Sequence, residues 1–349
     1  MTLYKHGADI AEIQKQYQIE NITDFSSNVN IFLPPKLEEL IRRFPIENLA
    51  KYPDIHYTEL RAKLSDKYGL RSEQIIVGNG STELIFLLAK LPFIQKIGIL
   101  SPTFGEYRRA AQIGDKEIVD FYYEKDFSID CNRIASEKVD ALFVCNPNNP
   151  SGNINNLMPL LEKTKQSNTL LIVDETFMDF SVDKSCSLLP LVPEYDNLFV
   201  LKAVTKFYAM TGLRLGYGFA STSLIESLWA IKEPWSVNAF AEMLVDAIFD
   251  EDFEHRTVSY YKEEIAWMKR ELEKINGLFV YPSVSNYFLI KLPPHISSGI
   301  LKERMIVNHR ILIRDCSNYS GLDEFHIRVN IKERNKNEML IRALEKEIH

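Results

Sequence analysis

Short apolar runs punctuate the middle of the chain: "QIIVGNG", "KIGILSPTF", "ALFVCNPNNP", "LLIVDETF", "NLFVLKAVTK" and "LRLGYGFA". Runs of this kind, bounded by Gly, Pro, Asn or Asp, read as strands buried on both faces. They alternate with helix-like segments, of which "STELIFLLAKL" is the first. That alternation predicts an α/β domain with a mostly parallel central sheet and helices on both faces. In such sheets ligands collect beyond the carboxyl ends of the strands, where most of the polar punctuation falls. The pattern changes near residue 255. A charged helical stretch, "SYYKEEIAWMKRELEKI", precedes "GLFVYPSVSNYFLIKL", "ILIRDC", "FHIRVNI" and a last charged helix. Two or three strands with flanking helices predict a smaller α+β domain there.

Composition narrows the class. The 349 residues are 46% hydrophobic and 26% charged, which is ordinary for a well-cored protein. No apolar stretch approaches the ~20 residues that span a bilayer. The opening "MTLYKHGADIAEIQKQYQ" is broken by charge and is not expected to act as a signal-peptide core. A net charge of −7 argues against a general nucleic-acid binder. Cys131, Cys145, Cys186 and Cys316 are scattered, offering neither a zinc site nor a disulfide framework. A cytoplasmic enzyme is the expectation.

The strand ends carry the chemistry. Gly80, Ser81 and Thr82 stand between a strand and a helix, where backbone N–H groups favour an anion, although a helix cap at Ser81 or Thr82 is the plainer reading. Asp174 closes an apolar strand and needs a helix N-terminus or a cation to satisfy it. Lys206 follows the next strand; a desolvated lysine has a lowered pKa and condenses with carbonyls. Arg214 offers a fork of donors suited to phosphate. Together these residues describe a pocket for pyridoxal 5′-phosphate. Lys206 would meet the aldehyde, with Thr205 beside it, and Asp174 the pyridine nitrogen. Asn149 would reach the ring hydroxyl, and Arg214 with the Gly80–Thr82 turn the phosphate.

At "NPNNPSG", "VDETF", "TKFYAMTGLRLGY" and the late arginine of "HIRVNI", the chain resembles the aspartate-aminotransferase-like, fold-type I pyridoxal phosphate enzymes over nearly its whole length. The resemblance implies a large cofactor-binding domain over residues 31–254, and a small domain from 1–30 and 255–349 that completes the substrate site. It implies that Arg328 binds the substrate carboxylate, that Phe104 stacks on the cofactor, and that Tyr52 reaches the cofactor phosphate of a neighbouring subunit in a homodimer. Many relatives carry tyrosine where this chain has Phe177, which leaves more of the ring's hydrogen bonding to Asn149. Within the family, "KHGAD", "DFSSNVN", "KYPDIHY", "PWSVNAFA" and especially "ILIRDCSNYSGL" resemble the threonine-phosphate decarboxylases of cobamide synthesis. Histidinol-phosphate aminotransferases are the alternative. The decarboxylase resemblance implies a small phospho-amino-acid substrate. Its phosphate would go to Arg314 with His6, Gly7 and Asn28, and its other end to Asn149 and Arg328. A solvated strand-edge arginine is the competing reading for Arg314, and a lone histidine such as His6 is weak evidence by itself.

Overall fold

The computed structural model describes residues 10–348, so His6 and Gly7 lie outside the described residues. Strands form where the apolar runs predict them. After the two-residue β1 (Thr23–Asp24) come β2 (Ile75–Asn79), β3 (Lys96–Ser101), β4 (Glu117–Tyr122), β5 (Ala141–Cys145), β6 (Leu170–Asp174), β7 (Leu198–Ala203) and β8 (Leu215–Phe219). The last seven build one sheet in the order β2-β8-β7-β6-β5-β3-β4. Pairing is parallel from β4 through β7, and β8 runs antiparallel to both its neighbours. Every residue of β5, β6, β7 and β8 is buried. Parallel neighbours need a crossover, and the helices Glu106–Ile113 and Met158–Gln166 supply two of them. Between β7 and β8 there is only a loop with one short 3₁₀ turn, Thr211–Leu213, so the chain returns antiparallel. That loop carries Lys206 and Arg214.

Two expectations need amending. β4 was not among the apolar runs; it is the sheet's edge, and its half-exposed face gives it an alternating rather than a continuous apolar pattern. The helix that follows β2 begins at Gly80 with Asn79 at its N-cap, so neither Ser81 nor Thr82 is the cap. Instead the Glu83 carboxylate reaches back 2.5 Å to the Asn79 amide. Ser81 and Thr82 are thereby left in the first turn.

The C-terminal part forms β9 (Phe279–Val280), β10 (Tyr287–Lys291), β11 (Ile311–Leu312), β12 (Arg314–Asp315) and β13 (His326–Asn330). Four of these make an antiparallel sheet, β12-β13-β10-β9, while β11 pairs in parallel with β1 near the other end of the chain. The helix Glu251–Leu272 leads into this region, capped by Asp250 and carrying acids in its first turn and bases in its last, as the helix dipole favours. The small sheet is locked to the large one at the "NPNNPSG" turn. The Tyr287 hydroxyl donates to the Asn148 carbonyl at 2.8 Å, and the Val284 amide to the Gly152 carbonyl at 2.9 Å. Gly152 has φ +76, and a Cβ there would lie 2.8 Å from Ser283 Cβ, so only glycine permits this contact. One apolar core runs through both sheets. No helix among the described residues is long and apolar enough to cross a membrane.

β8 presses its backbone against the start of the Gly80 helix. A Cβ on Gly216 would stand 2.5 Å from the Gly80 carbonyl carbon and 2.8 Å from Ser81 Cα, and neither backbone atom can yield cheaply. Gly216→Ala should therefore cost about 1–3 kcal/mol in chemical denaturation. Gly212→Ala, where a Cβ would meet nothing within 4 Å, should unfold like the parent.

Candidate active site

A cavity of about 1060 Å³ opens at the carboxyl ends of the central parallel strands. Lys206, Asp174, Asn149 and Arg214 line it, with Thr205, Phe104 and the Ser81–Thr82 turn. Asn28, Arg314 and Arg328 arrive from the other side, from segments far apart in sequence. Tyr52 is not among the lining residues: it is 81% exposed, its ring 4.7 Å from Trp235.

Lys206 is held from both directions along the backbone. Its carbonyl accepts from the Asn30 amide at 3.0 Å, and the Asn30 side chain donates to the next carbonyl, that of Phe207, at 2.6 Å. Tyr261 in turn donates to the Asn30 side-chain oxygen at 3.1 Å. The amine at the other end is desolvated. Burial, assisted by the positive charges of Arg328 and Arg214, brings its pKa down to about 8, against the opposing pull of Asp174 and Asp24.

Asp174 ends β6 and is only 5% exposed. It caps no helix. One carboxylate oxygen accepts from the Thr176 amide at 2.9 Å and from the Thr176 hydroxyl; the other accepts from the Tyr107 phenol at 2.7 Å. Burial raises the carboxyl pKa, and these donors, with Lys206, pull it back toward the charged form. Tyr107 itself is fully buried, stacked on Phe143 at 4.9 Å and edge-on to Phe104 at 5.7 Å. It thus ties the acid to the aromatic ring expected to cover the cofactor. Tyr107 and Thr176 were not singled out by sequence, although Thr176 stands within the quoted "VDETF" and Tyr107 lies three residues after Phe104.

The anion cup depends on close approach. Gly80 has φ +74, and a Cβ there would lie 3.0 Å from the Arg214 guanidinium carbon, so the missing side chain lets Arg214 lie across the turn. The Gly80 amide donates to the Arg214 carbonyl at 2.8 Å, and Arg214, itself left-handed at φ 57, donates from Nη1 to the Thr211 carbonyl at 3.2 Å.

On the far side, Arg328 is 5% exposed. Its Nη2 donates to the Ser26 carbonyl at 2.6 Å and its Nη1 to Asn149 Oδ1. Tyr319, a further residue missed by sequence, also donates to Asn149 Oδ1, at 3.4 Å. With its oxygen committed to these donors, Asn149 has its Nδ2 to offer elsewhere in the cavity. Buried polar atoms without a protein partner among the described residues include Arg328 Nε and both amide atoms of Asn28. Such groups are costly unless a ligand or water satisfies them.

Pyridoxal phosphate fits this donor set. A depressed amine, a buried carboxylate opposite, an aromatic flank and a glycine-lined cup with an arginine across it are all present, and a Cβ at Gly80 would fill that cup. The sequence model for "Aminotransferase class I and II" matches residues 20–344. The chain belongs to that family. It is 39% identical to the Caldanaerobacter subterraneus subsp. tengcongensis protein named "Putative threonine-phosphate decarboxylase", over 99% of this chain and 94% of that one. It is 33% identical to the threonine-phosphate decarboxylase of Salmonella typhimurium, over 97% and 95%. Among solved structures, the histidinol-phosphate aminotransferase of Clostridium acetobutylicum superposes with a TM-score of 0.88 at 32% identity, covering 93% of this chain and 99% of that one. The fold is the aminotransferase fold, with its mostly parallel central sheet.

Two outcomes follow from these environments. Folding lowers the Lys206 pKa, so between about pH 8 and the ordinary lysine value of 10.5 the unfolded chain binds more protons. The Lys206 contribution therefore favours the folded, cofactor-free protein increasingly as pH rises through that window, and its penalty is complete below it. Labelling that form with an amine reagent should show Lys206 titrating near pH 8, while exposed lysines follow the ordinary value. Removing a donor from Asp174 with Tyr107→Phe should raise that carboxyl's pKa further, shift the pH titration of the bound cofactor's visible absorbance, and lower kcat by roughly 10-fold with a small change in KM.

Proposed function

We propose that this protein is a pyridoxal phosphate-dependent carboxy-lyase of cobamide synthesis, converting L-threonine O-3-phosphate to (R)-1-amino-2-propanol O-2-phosphate and carbon dioxide. L-serine O-phosphate, one methyl smaller, would give ethanolamine phosphate by the same route. The observation that carries this reading is the placement of Arg314 directly opposite Arg328 on neighbouring strands, in the same cavity as the depressed amine of Lys206. A ligand with two anionic ends and an α-amine matches that charge pattern. The near-full-length likeness to threonine-phosphate decarboxylases supports the same choice.

When bound, the cofactor supplies an electron sink for the pair left on the α-carbon as carbon dioxide departs. The chain's own residues do the rest. Arg328, through its free Nε and its anchored fork, orients the carboxylate. Arg314 and Asn28 take the phosphate, with His6 and Gly7 assigned to the same end. Asp174, whose charged form Thr176 and Tyr107 favour, would pair with the ring nitrogen. Lys206 holds the proton that returns to the α-carbon, so the substrate loses its carboxylate and gains one proton. Phe104 shields the site from water.

Exposed apolar residues cluster in sequence around Tyr52, among them Ile46 at 78% exposure, and Trp235 packs on that tyrosine. This supports a homodimer in which Tyr52 serves the neighbouring site. Strand pairing of β1 with β11 supports residues 1–30 joining 255–349 as the small domain beside a cofactor-binding domain of 31–254. Four unpaired cysteines suit a reducing cytoplasm.

The purified holoenzyme should release carbon dioxide from L-threonine O-3-phosphate with no oxo-acid present, and Lys206→Ala should lose both turnover and the cofactor's visible absorbance. Turnover that strictly requires 2-oxoglutarate would instead assign an aminotransferase acting on an amine such as histidinol phosphate.

A further inference from the structure

β12 and β13 pair so that Arg314 stands directly across from Arg328. Residues opposite one another in an antiparallel pair lie on one face with Cα atoms roughly 4.5–5.5 Å apart. Like charges in that relation repel. The segment joining the two strands folds back over them, and its Tyr319 touches both cations. The Arg314 guanidinium lies over the Tyr319 ring, 5.3 Å from the centroid, where the negative face of the ring attracts it. The hydroxyl of the same residue accepts from Arg328 Nη1 at 3.4 Å and donates to Asn149.

We infer that Tyr319 is a spacer that sets the gap between the two arginines, and so makes the site measure the distance between the anionic ends of its ligand. This rests on the reading of Arg314 and Arg328 as the anion-binding pair. The spacer is firmly seated. Its amide donates to the Cys316 carbonyl at 3.1 Å, and its carbonyl accepts from Leu322 at 3.0 Å. Arg314 Nη2 is held by Asn318 at 2.8 Å. Gly321 packs so closely on Tyr122 and Pro102 that a Cβ would lie 3.0 and 3.5 Å from them. Tyr319 carries Arg314 on its ring face and Arg328 at its hydroxyl, so a shift of either arginine gives up its contact with that residue. The ligand class selected is an α-carboxylate with a phosphoryl group three chain atoms away, as in a β-phospho-amino acid. A chain one methylene longer would leave one end misplaced. Tyr319 acts through the arginines and is a positioning and specificity residue rather than a catalytic one.

Binding to the holoenzyme tests this without turnover, because ligands that lack the amine cannot react with the cofactor. Calorimetry would compare 4-phosphonobutyrate, whose three methylenes match the spacing, with 5-phosphonopentanoate, which has one more. The parent should prefer the shorter by at least about 10-fold, as one mismatched methylene can produce. Tyr319→Leu, which removes ring and hydroxyl, should bring the two within about 3-fold of each other. Tyr319→Phe, which keeps the ring, should weaken both several-fold and leave their ratio intact. A parent that does not discriminate, a Leu variant that keeps the parental ratio, or a Phe variant that loses it would each overturn the spacer. Should the Leu variant fail to fold, the Phe variant decides alone. Length discrimination without carbon dioxide release would sink the decarboxylase reading and leave the spacer standing, and the reverse pair of results would do the opposite.

Discussion

A lysine amine stripped of water is the constraint around which this molecule is arranged. Lys202 is buried and Lys206, four residues on, is half-buried at the cavity wall, yet their amines move in opposite directions. Burial alone would depress each. At Lys202 the nearby carboxylates of Asp179, 3.0 Å away, and Glu175 outweigh it, and the amine is held in its charged form. At Lys206 the positive charges of Arg328 and Arg214 add to the effect of burial and bring the amine's pKa down to about 8. One lysine is held as a cation, and the other has the depressed pKa that a nucleophilic amine needs. The difference lies in which charges the fold brings to each.

That choice forces the rest of the cavity. Arg214, Arg314 and Arg328 line the same cavity as Lys206, while Asp174 and Asp24 supply opposing negative charge. The positive charge adds to burial in depressing the amine. On the proposed reading, the anionic ends of cofactor and substrate would offset that charge. The scaffold accepts such crowding because it is rigid at the points that matter. Gly80, Gly152 and Gly216 each allow two segments to meet closer than any side chain would permit, and Asn30 ties the lysine loop to the N-terminal segment.

The parts legible in sequence were those whose signal is local. Buried strands announce themselves as apolar runs, and the residues at or just past their ends, Asp174, Asn149 and Lys206, lie where such sheets collect ligands. The edge strand Glu117–Tyr122 escaped because water on one side broke its run. Tyr107 and Tyr319 escaped for another reason. Their roles come from contacts with Asp174 and with Asn149 and Arg328, and Asp174 and Asn149 are 67 and 170 residues away along the chain. An aromatic residue in a loop or on a helix face carries no mark of the acid or the cation it will touch. Tyr52 illustrates the same limit from outside: it is exposed and lies apart from the cavity.

Decarboxylase and aminotransferase chemistry use one amine and one acid, so neither Lys206 nor Asp174 can decide between them. The bond that breaks is the one held perpendicular to the cofactor plane, and that is a matter of where the α-carbon's substituents are pinned. A ligand anchored at its carboxylate alone can still turn about its own bonds. Anchoring the phosphate as well removes that freedom, because the β-carbon is then tied to a second fixed cation. On the proposed reading, with Arg314 and Arg328 in cross-strand register and Arg328 further fixed by Ser26 and Asn149, the direction of the carboxylate would be a property of the small sheet and of its docking on the large one. Reaction choice would then depend on the Tyr287–Asn148 and Val284–Gly152 contacts that join the two sheets, as much as on the groups that touch the reacting carbon.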